Sequence, residues 1–369
     1  MSTISSAGVD QKDRSTSSGL QPAASQWAWY KRGLFSLLAL LLLVPAAGGA
    51  YQFLATRMDQ RTYLPPGQLT NVGGYMLHIH CTGQGSPTIL LEGGLGGTSL
   101  DWSLVQPALS TTTRVCSYDR GGLGWSENNP SGVPRTSSQI AVELHTLLRN
   151  TGIDGPYILA GLSAGGMHVQ MFADRYPDEV LGLVLVDPTP AALMAEFPDE
   201  QRKPLLPNLD QFELIQMLEP FGVLRLLPLP GSEKLVNLPE QTQKAIRSVN
   251  VRNGVARALY EEAAGFETSI LETASLDPLP ADLPLTVIWH GIPAEPLELE
   301  ALAEASLRAL VADSDHGSFV IAEESGHYVT FDRPDIVTEE LKGMLATVRI
   351  QHRINIASKI TQLFEQTRP

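Results

Sequence analysis

The chain divides by its pattern of apolar and polar positions into three unlike stretches. Residues 33–56 carry no charge, and the core of that stretch, 34–44, is almost wholly apolar. Beyond a Pro65-Pro66-Gly67 break, short apolar runs alternate with helical periodicity. Residues 75–80 alternate as a strand with one wet face, whereas 88–91 and 114–118 run without alternation into glycine-rich loops. Uninterrupted runs of that kind are strands covered on both faces, as in parallel sheets. The stripe Ile140, Val142, Leu144, Leu147 and Leu148 predicts a helix over 137–150. Residues 157–160, a helix over 164–176 and the run 180–187 continue the alternation. Strands interleaved with helices predict an α/β fold with helices on both faces of the sheet.

From 188 to 284 the alternation stops, and helix-like pieces at 211–218, 241–248 and 254–264 among many prolines predict a helical insertion. Strands resume at 285–289 and 318–322, a helix over 334–348 closes a domain spanning 68–348, and 350–369 read as one more amphipathic helix. Residues 1–32, polar and low in large apolar side chains at least to 26, read as a disordered tail.

The 33–56 stretch is long enough to cross a bilayer as a helix. Trp27, Trp29 and Tyr30 stand where an aromatic belt would lie, and Lys31 and Arg32 form a positive flank. Gly48-Gly49-Ala50 also offers small residues for signal cleavage, but the polar lead-in is long for a signal peptide and favours an anchor. A positive flank held inside places the body outside the cell membrane, a single-pass arrangement against which Arg57 and Arg61 weigh.

Composition narrows the function. Net charge is -14; six Lys or Arg against three Asp in residues 1–61 give that segment +3 and leave -17 for the rest. So acidic a body is a poor partner for nucleic-acid phosphates, and a small-molecule substrate is expected instead. Cys81 and Cys116 are too few for a disulfide framework and lack metal-ligand spacing; they form one bridge or none.

Gly161-Leu162-Ser163-Ala164-Gly165 lies between an apolar strand and a helix, where a sharp turn lifts a serine hydroxyl clear of a sheet. Serine needs a base to attack, and His327, following a late strand and preceding the last helix, occupies the chain position for it. His78, His80, His168 and His290 read as structural. For the orienting acid, Asp187 ends the strand after the elbow helix, and Glu295 in the later loop is the alternative. Oxyanion donors would be the amide of Ala164 and that of Leu95 or Gly94. Such acyl transfer requires no metal or organic cofactor.

These segments resemble the α/β-hydrolase superfamily, most closely its bacterial membrane-anchored members, from about Thr70 to Leu345. The likeness is carried by residues 92–102, by Tyr118-Asp119-Arg120-Gly121-Gly122-Leu123-Gly124-Trp125-Ser126, by the elbow and by Ser325-Gly326-His327. It implies an eight-stranded, mostly parallel sheet with a cap after the sixth strand, matching 188–284, and makes Asp119 and Arg120 a fold-holding pair. Glu92-Gly93 replaces the family's common His-Gly, and the loop after the seventh strand lacks the usual Asp, which favours Asp187. The implied strand order makes the Cys81 and Cys116 strands neighbours, so a disulfide and two buried thiols are both open. The expected activity is an esterase-like or lipase-like serine hydrolase. Aminopeptidase or amidase action is the enzymatic alternative, and a non-catalytic ligand-binding module the other.

Overall fold

The computed structural model describes residues 23–228, 235–236, 238–294 and 296–366, with the backbone alone at 23–26, 28 and 352–366. The chain forms two compact units that divide between Ala47 and Gly48. That division falls inside one long helix, α1 (Ala23–Thr62). The expected tail therefore gives way to helix by Ala23, and its first 22 residues lie outside the described ones. The helix also overruns the expected span of 33–56 at both ends. From Trp29 to Thr62 it is long and apolar enough to cross a membrane, with a mean hydropathy of 2.1 in its best window.

Eight strands form one sheet: β1 (Gln68–Asn71), β2 (Met76–Thr82), β3 (Thr88–Glu92), β4 (Val115–Asp119), β5 (Tyr157–Leu162), β6 (Val180–Val186), β7 (Leu285–His290) and β8 (Gly317–Ala322). Their order is β1-β2-β4-β3-β5-β6-β7-β8, antiparallel at the β1/β2 and β2/β4 pairs and parallel elsewhere. The fully buried strands are the runs without alternation, such as 88–92 and 157–162. The short exposed β1 carries no apolar pattern and was not legible.

Two hydrophobic cores lie on opposite faces of the sheet. One takes Leu144, Leu147 and Leu148 from α3 (Ser137–Thr151), Phe172 from α4 (Gly165–Arg175) and Leu307 from α10 (Leu297–Ala312). The other takes Val105 and Leu109 from α2 (Val105–Leu109) and Val337, Leu341 and Leu345 from α12 (Pro334–Gln366). The pattern reading missed α2 and α10, and α12 corrects the expectation of a separate helix at 350–369. No Gly or Pro interrupts residues 344–366, so the closing helix simply continues.

Between β6 and β7 stand α5 (Ala191–Glu196), α6 (Asp199–Arg202), α7 (Leu209–Leu218), α8 (Glu240–Asn250) and α9 (Val255–Ala274), the expected helical insertion. Cys81 and Cys116 face each other in register across β2 and β4 and form a disulfide. The chain-entropy argument gives a bridge over this separation of 35 residues about 4 kcal/mol.

The last turns of α1 belong to the body rather than to a free linker. Gln52 is 1% exposed and donates to the Val251 carbonyl at 2.8 Å. Arg225 of the insertion donates to Gln52 Oε1 (2.6 Å), Thr56 Oγ1 (3.0 Å) and Asp59 Oδ2 (2.6 Å). Removing a side chain that strands several partners at once costs about 1–3 kcal/mol. Arg225→Ala is accordingly expected to lower the urea midpoint of the detergent-solubilised chain; an unchanged midpoint would mean that the insertion does not grip the helix.

Candidate active site

β5 ends at Leu162 and α4 starts at Gly165, so the chain reverses from strand to helix within two residues. Ser163 takes φ +54° at that reversal, a conformation that side chains usually avoid. The surroundings hold it there: its amide donates to Val186 O (2.9 Å), and its carbonyl accepts from Gly166 (3.0 Å) and Thr189 (3.2 Å). The two flanking glycines are sterically required. A Cβ at Gly161 would lie 2.4 Å from Gly165 O, and one at Gly165 2.6 Å from Gly93 O.

The loop after β3 passes over the serine, since a Cβ at Gly94 would lie 3.2 Å from Ser163 Cβ. Arg120, 2% exposed, fixes that loop with all five of its N–H donors. Nε donates to Glu262 Oε1 (2.6 Å), and one terminal nitrogen donates to Glu262 Oε2 (2.9 Å) and to Gly94 O (2.6 Å). The other donates to Gly93 O (3.0 Å) and to Glu92, which also accepts the Tyr118 hydroxyl. A trans peptide sets N–H opposite C=O, so turning both glycine carbonyls to Arg120 turns the amides of Gly94 and Leu95 away from it. Among the described residues no protein acceptor takes the amides of Gly94, Leu95 or Ala164.

Burial pushes the Glu92 carboxyl up from its usual range, against the pull of Arg120 and Tyr118. For Glu262 burial acts the same way, but the Arg120 charge wins and holds it below that range. Asp119 and Arg120 hold the fold separately rather than as a pair. Asp119 accepts from His78 Nδ1 (2.8 Å) and from the amides of Ser99 (2.6 Å) and Trp125 (2.8 Å).

Asp187, at φ +44° just past β6, is 3% exposed. Its Oδ2 lies 2.5 Å from His327 Nδ1. His327 stands in the loop after β8 with its side chain 52% exposed. Asp187 Oδ1 accepts from the backbone amide of His290 (3.1 Å) and lies 2.6 Å from His290 Nδ1. His290, read from the sequence as structural, ends β7 and so meets the end of its neighbour β6, where it stands against the candidate acid. A histidine at the same sheet edge as the candidate acid, one strand over, was the signal available in the sequence. His290 Nε2 in turn lies 2.8 Å from Glu300 Oε1, close enough for an ion pair though not aligned as a hydrogen bond.

Burial opposes ionisation of Asp187, but bonds from His290 and His327 hold its carboxyl below the usual value. Burial likewise works against a charged His290, yet Asp187 and Glu300 overcome it and raise its pKa. The signs differ. The Asp187 contribution to stability is present above its unfolded value of about 3.9 and is lost as pH falls through the lower folded value. The His290 contribution is full below about 6.5 and is lost as pH rises through the higher folded value.

Ser163, Asp187, His290 and His327 line one cavity of about 290 Å³, whose other walls include Leu193, Met194, Leu205, Phe266 and Leu299. His168 bonds Ser137 Oγ at 2.9 Å, and burial lowers its pKa to about 3. It lies outside that cavity, as do His78 and His80. Leu95 packs partly buried against the apolar cluster that includes Ala164 and Met167. Glu295 lies outside the described residues. Among the described residues no group of His, Cys, Asp and Glu side chains is arranged to hold a metal ion.

Residues 87–252 match the family model described as alpha/beta hydrolase fold. An uncharacterized protein of Schizosaccharomyces pombe is 28% identical over 79% of this chain and 60% of its own length, so the chain spans about three fifths of that relative. Among solved structures, a thermophilic esterase from Thermogutta terrifontis has a TM-score of 0.55 at 22% identity, covering 74% of this chain and 94% of the esterase. The Bacillus megaterium epoxide hydrolase has a TM-score of 0.58 at 18% identity, covering 76% of this chain and 100% of that protein.

Removing one partner of a buried ion pair costs about 3–5 kcal/mol, because the other charge stays behind. Arg120→Met strands Glu92 and Glu262, both under 4% exposed, and a loss of that size in urea unfolding is expected. Arg120→Lys is expected to recover only part of it, since one ammonium cannot reach five acceptors. A lysine variant as stable as the wild type would overturn this account of the loop.

Proposed function

The chain belongs to the α/β-hydrolase fold superfamily, and on that premise we propose that it is a membrane-anchored serine hydrolase acting through Ser163, His327 and Asp187. The observation that carries this reading is the 2.5 Å bond between His327 and Asp187 at a cavity that Ser163 also lines. Ser163 attacks a carbonyl carbon while His327 takes its proton, and Asp187 fixes the imidazole with Nδ1 protonated so that Nε2 is the base. The amides of Ala164 and Leu95, with Gly94 beside them, receive the oxyanion, aided by the N-terminus of α4. The leaving alcohol takes the proton from His327. Water then attacks the acyl-enzyme by the same route in reverse. A serine at this position argues against epoxide-hydrolase or dehalogenase chemistry, which needs a carboxylate there to form an alkyl ester.

The apolar walls from Leu193, Met194, Leu205, Phe266 and Leu299 suit the acyl chain of a lipophilic ester. Glu300, the acid that could capture a substrate amine in this cavity, is already engaged by His290 and by Trp289 Nε1 at 3.0 Å. That favours esters over aminoacyl amides. Export of the body is supported by the apolar span of α1, by the Lys31-Arg32 flank and by the disulfide.

A fluorophosphonate is expected to label the wild type covalently and to leave Ser163→Ala unlabelled. Hydrolysis of a panel of esters and aminoacyl amides should fall by about 10³-fold or more in Ser163→Ala and His327→Ala. Failure of the folded wild type to react would sink the serine-hydrolase reading. Asp187→Asn is expected to lose far more activity than Glu295→Gln, and the reverse order would move the acid to residue 295.

A further inference from the structure

Asp187 is held from both sides, and the proposed reaction uses only one of them. Its Oδ2 meets His327, while its Oδ1 takes two bonds from a single residue, the backbone amide and the Nδ1 of His290. We propose that His290 is a positioning residue of this site: clamped between Asp187 and Glu300, it locks the carboxylate so that Oδ2 alone serves His327, and it supplies the positive charge that offsets Asp187. The inference rests on the serine-hydrolase reading above.

Three features of the geometry support it. His290 is 8% exposed and carboxylates stand at both ring nitrogens, Asp187 from the end of β6 and Glu300 from α10. An imidazolium meets both with positive charge, through a hydrogen bond at Nδ1 and an ion pair at Nε2, whereas a neutral ring would turn a lone pair toward one of them. The Trp289 ring packs against His290, with centroids 4.4 Å apart. Trp289 also donates to the same Glu300 oxygen at 3.0 Å, so the second carboxylate is itself held in place. Among the described residues Asp187 and Glu300 are the charged groups that bear most on His290, and His327 meets the other oxygen of the same Asp187. The raised pKa of His290 agrees with this arrangement.

The charge has a consequence for the base. A cation on Oδ1 offsets part of the Asp187 charge that faces His327 through Oδ2. Taking that cation away should shift the acid limb of the pH–rate profile upward, by about one pH unit for a unit charge at this range in a partly buried site.

The test compares His290→Asn, whose amide can still donate to Oδ1 without a charge, with His290→Ala, which keeps neither. Ester hydrolysis and fluorophosphonate labelling are followed from pH 5 to 10. For the asparagine variant the acid limb of kcat/KM is expected to move up by about one unit, with plateau kcat within roughly tenfold of wild type. For the alanine variant kcat is expected to fall a further 10- to 100-fold while KM changes little, because the carboxylate is free to turn. An unshifted limb in a folded His290→Asn enzyme overturns the proposal, as does a loss confined to KM. Should both variants fail to fold, nitrogen-15 histidine spectra of the wild type decide. His290 doubly protonated throughout the pH range in which His327 titrates supports the proposal, and a neutral His290 there overturns it. A wild type that neither labels nor turns over ester sinks the serine-hydrolase reading instead, and is told apart from these outcomes because it appears before any His290 variant is made.

Discussion

Everything near Ser163 depends on one buried guanidinium. Arg120 takes hold of the insertion through Glu262, of the end of β3 through Glu92, and of the loop over the serine through two backbone carbonyls. Burying a charge in this way is expensive, and the cost is offset only because every donor finds an acceptor. In return, a glycine loop with no side chains of its own is given one conformation. Glu262 also accepts the Gly96 amide at 2.9 Å, so α9 and the loop share the same anchor. Core and insertion are therefore built around one cation, and neither can shift without stranding charge.

The same interaction explains a residue that looked out of place. Glu92 stands where the family resemblance leads one to expect histidine, and burial alone would make a carboxylate there a liability. Arg120 and Tyr118 are what make it tolerable. The backbone strain at Ser163 and Asp187 follows a similar logic, since both positive-φ residues are cross-bonded to the strands beside them.

How much of this could be read beforehand differed by element, for physical reasons. The parallel core strands announced themselves because burial on both faces demands unbroken apolar runs, as in residues 88–92. The elbow was legible because its tight turn needs Gly161 and Gly165. His327 followed from chain order and Asp187 from its place at the end of a core strand, with Glu295 as the alternative, and the structure sets His327 and Asp187 side by side. The edge strand β1 is too short and wet to leave a pattern, and α10 buries little beyond Ala303, Leu307 and Val311, a stripe easily taken for loop. Contacts between residues far apart in the chain were the hardest. Nothing local to Glu262 links it to Arg120, 142 residues away, and nothing local to Arg225 links it to α1.

The Cys81–Cys116 bridge closes a covalent ring around the 35-residue interval between its two cysteines. That ring includes β3 and the whole glycine loop over Ser163, so the segment covering the serine is itself part of a covalent hoop. A chain folded among reducing thiols would leave that hoop open. The bridge therefore works as a birth certificate: its presence or absence in protein taken from the cell records the compartment in which the body matured.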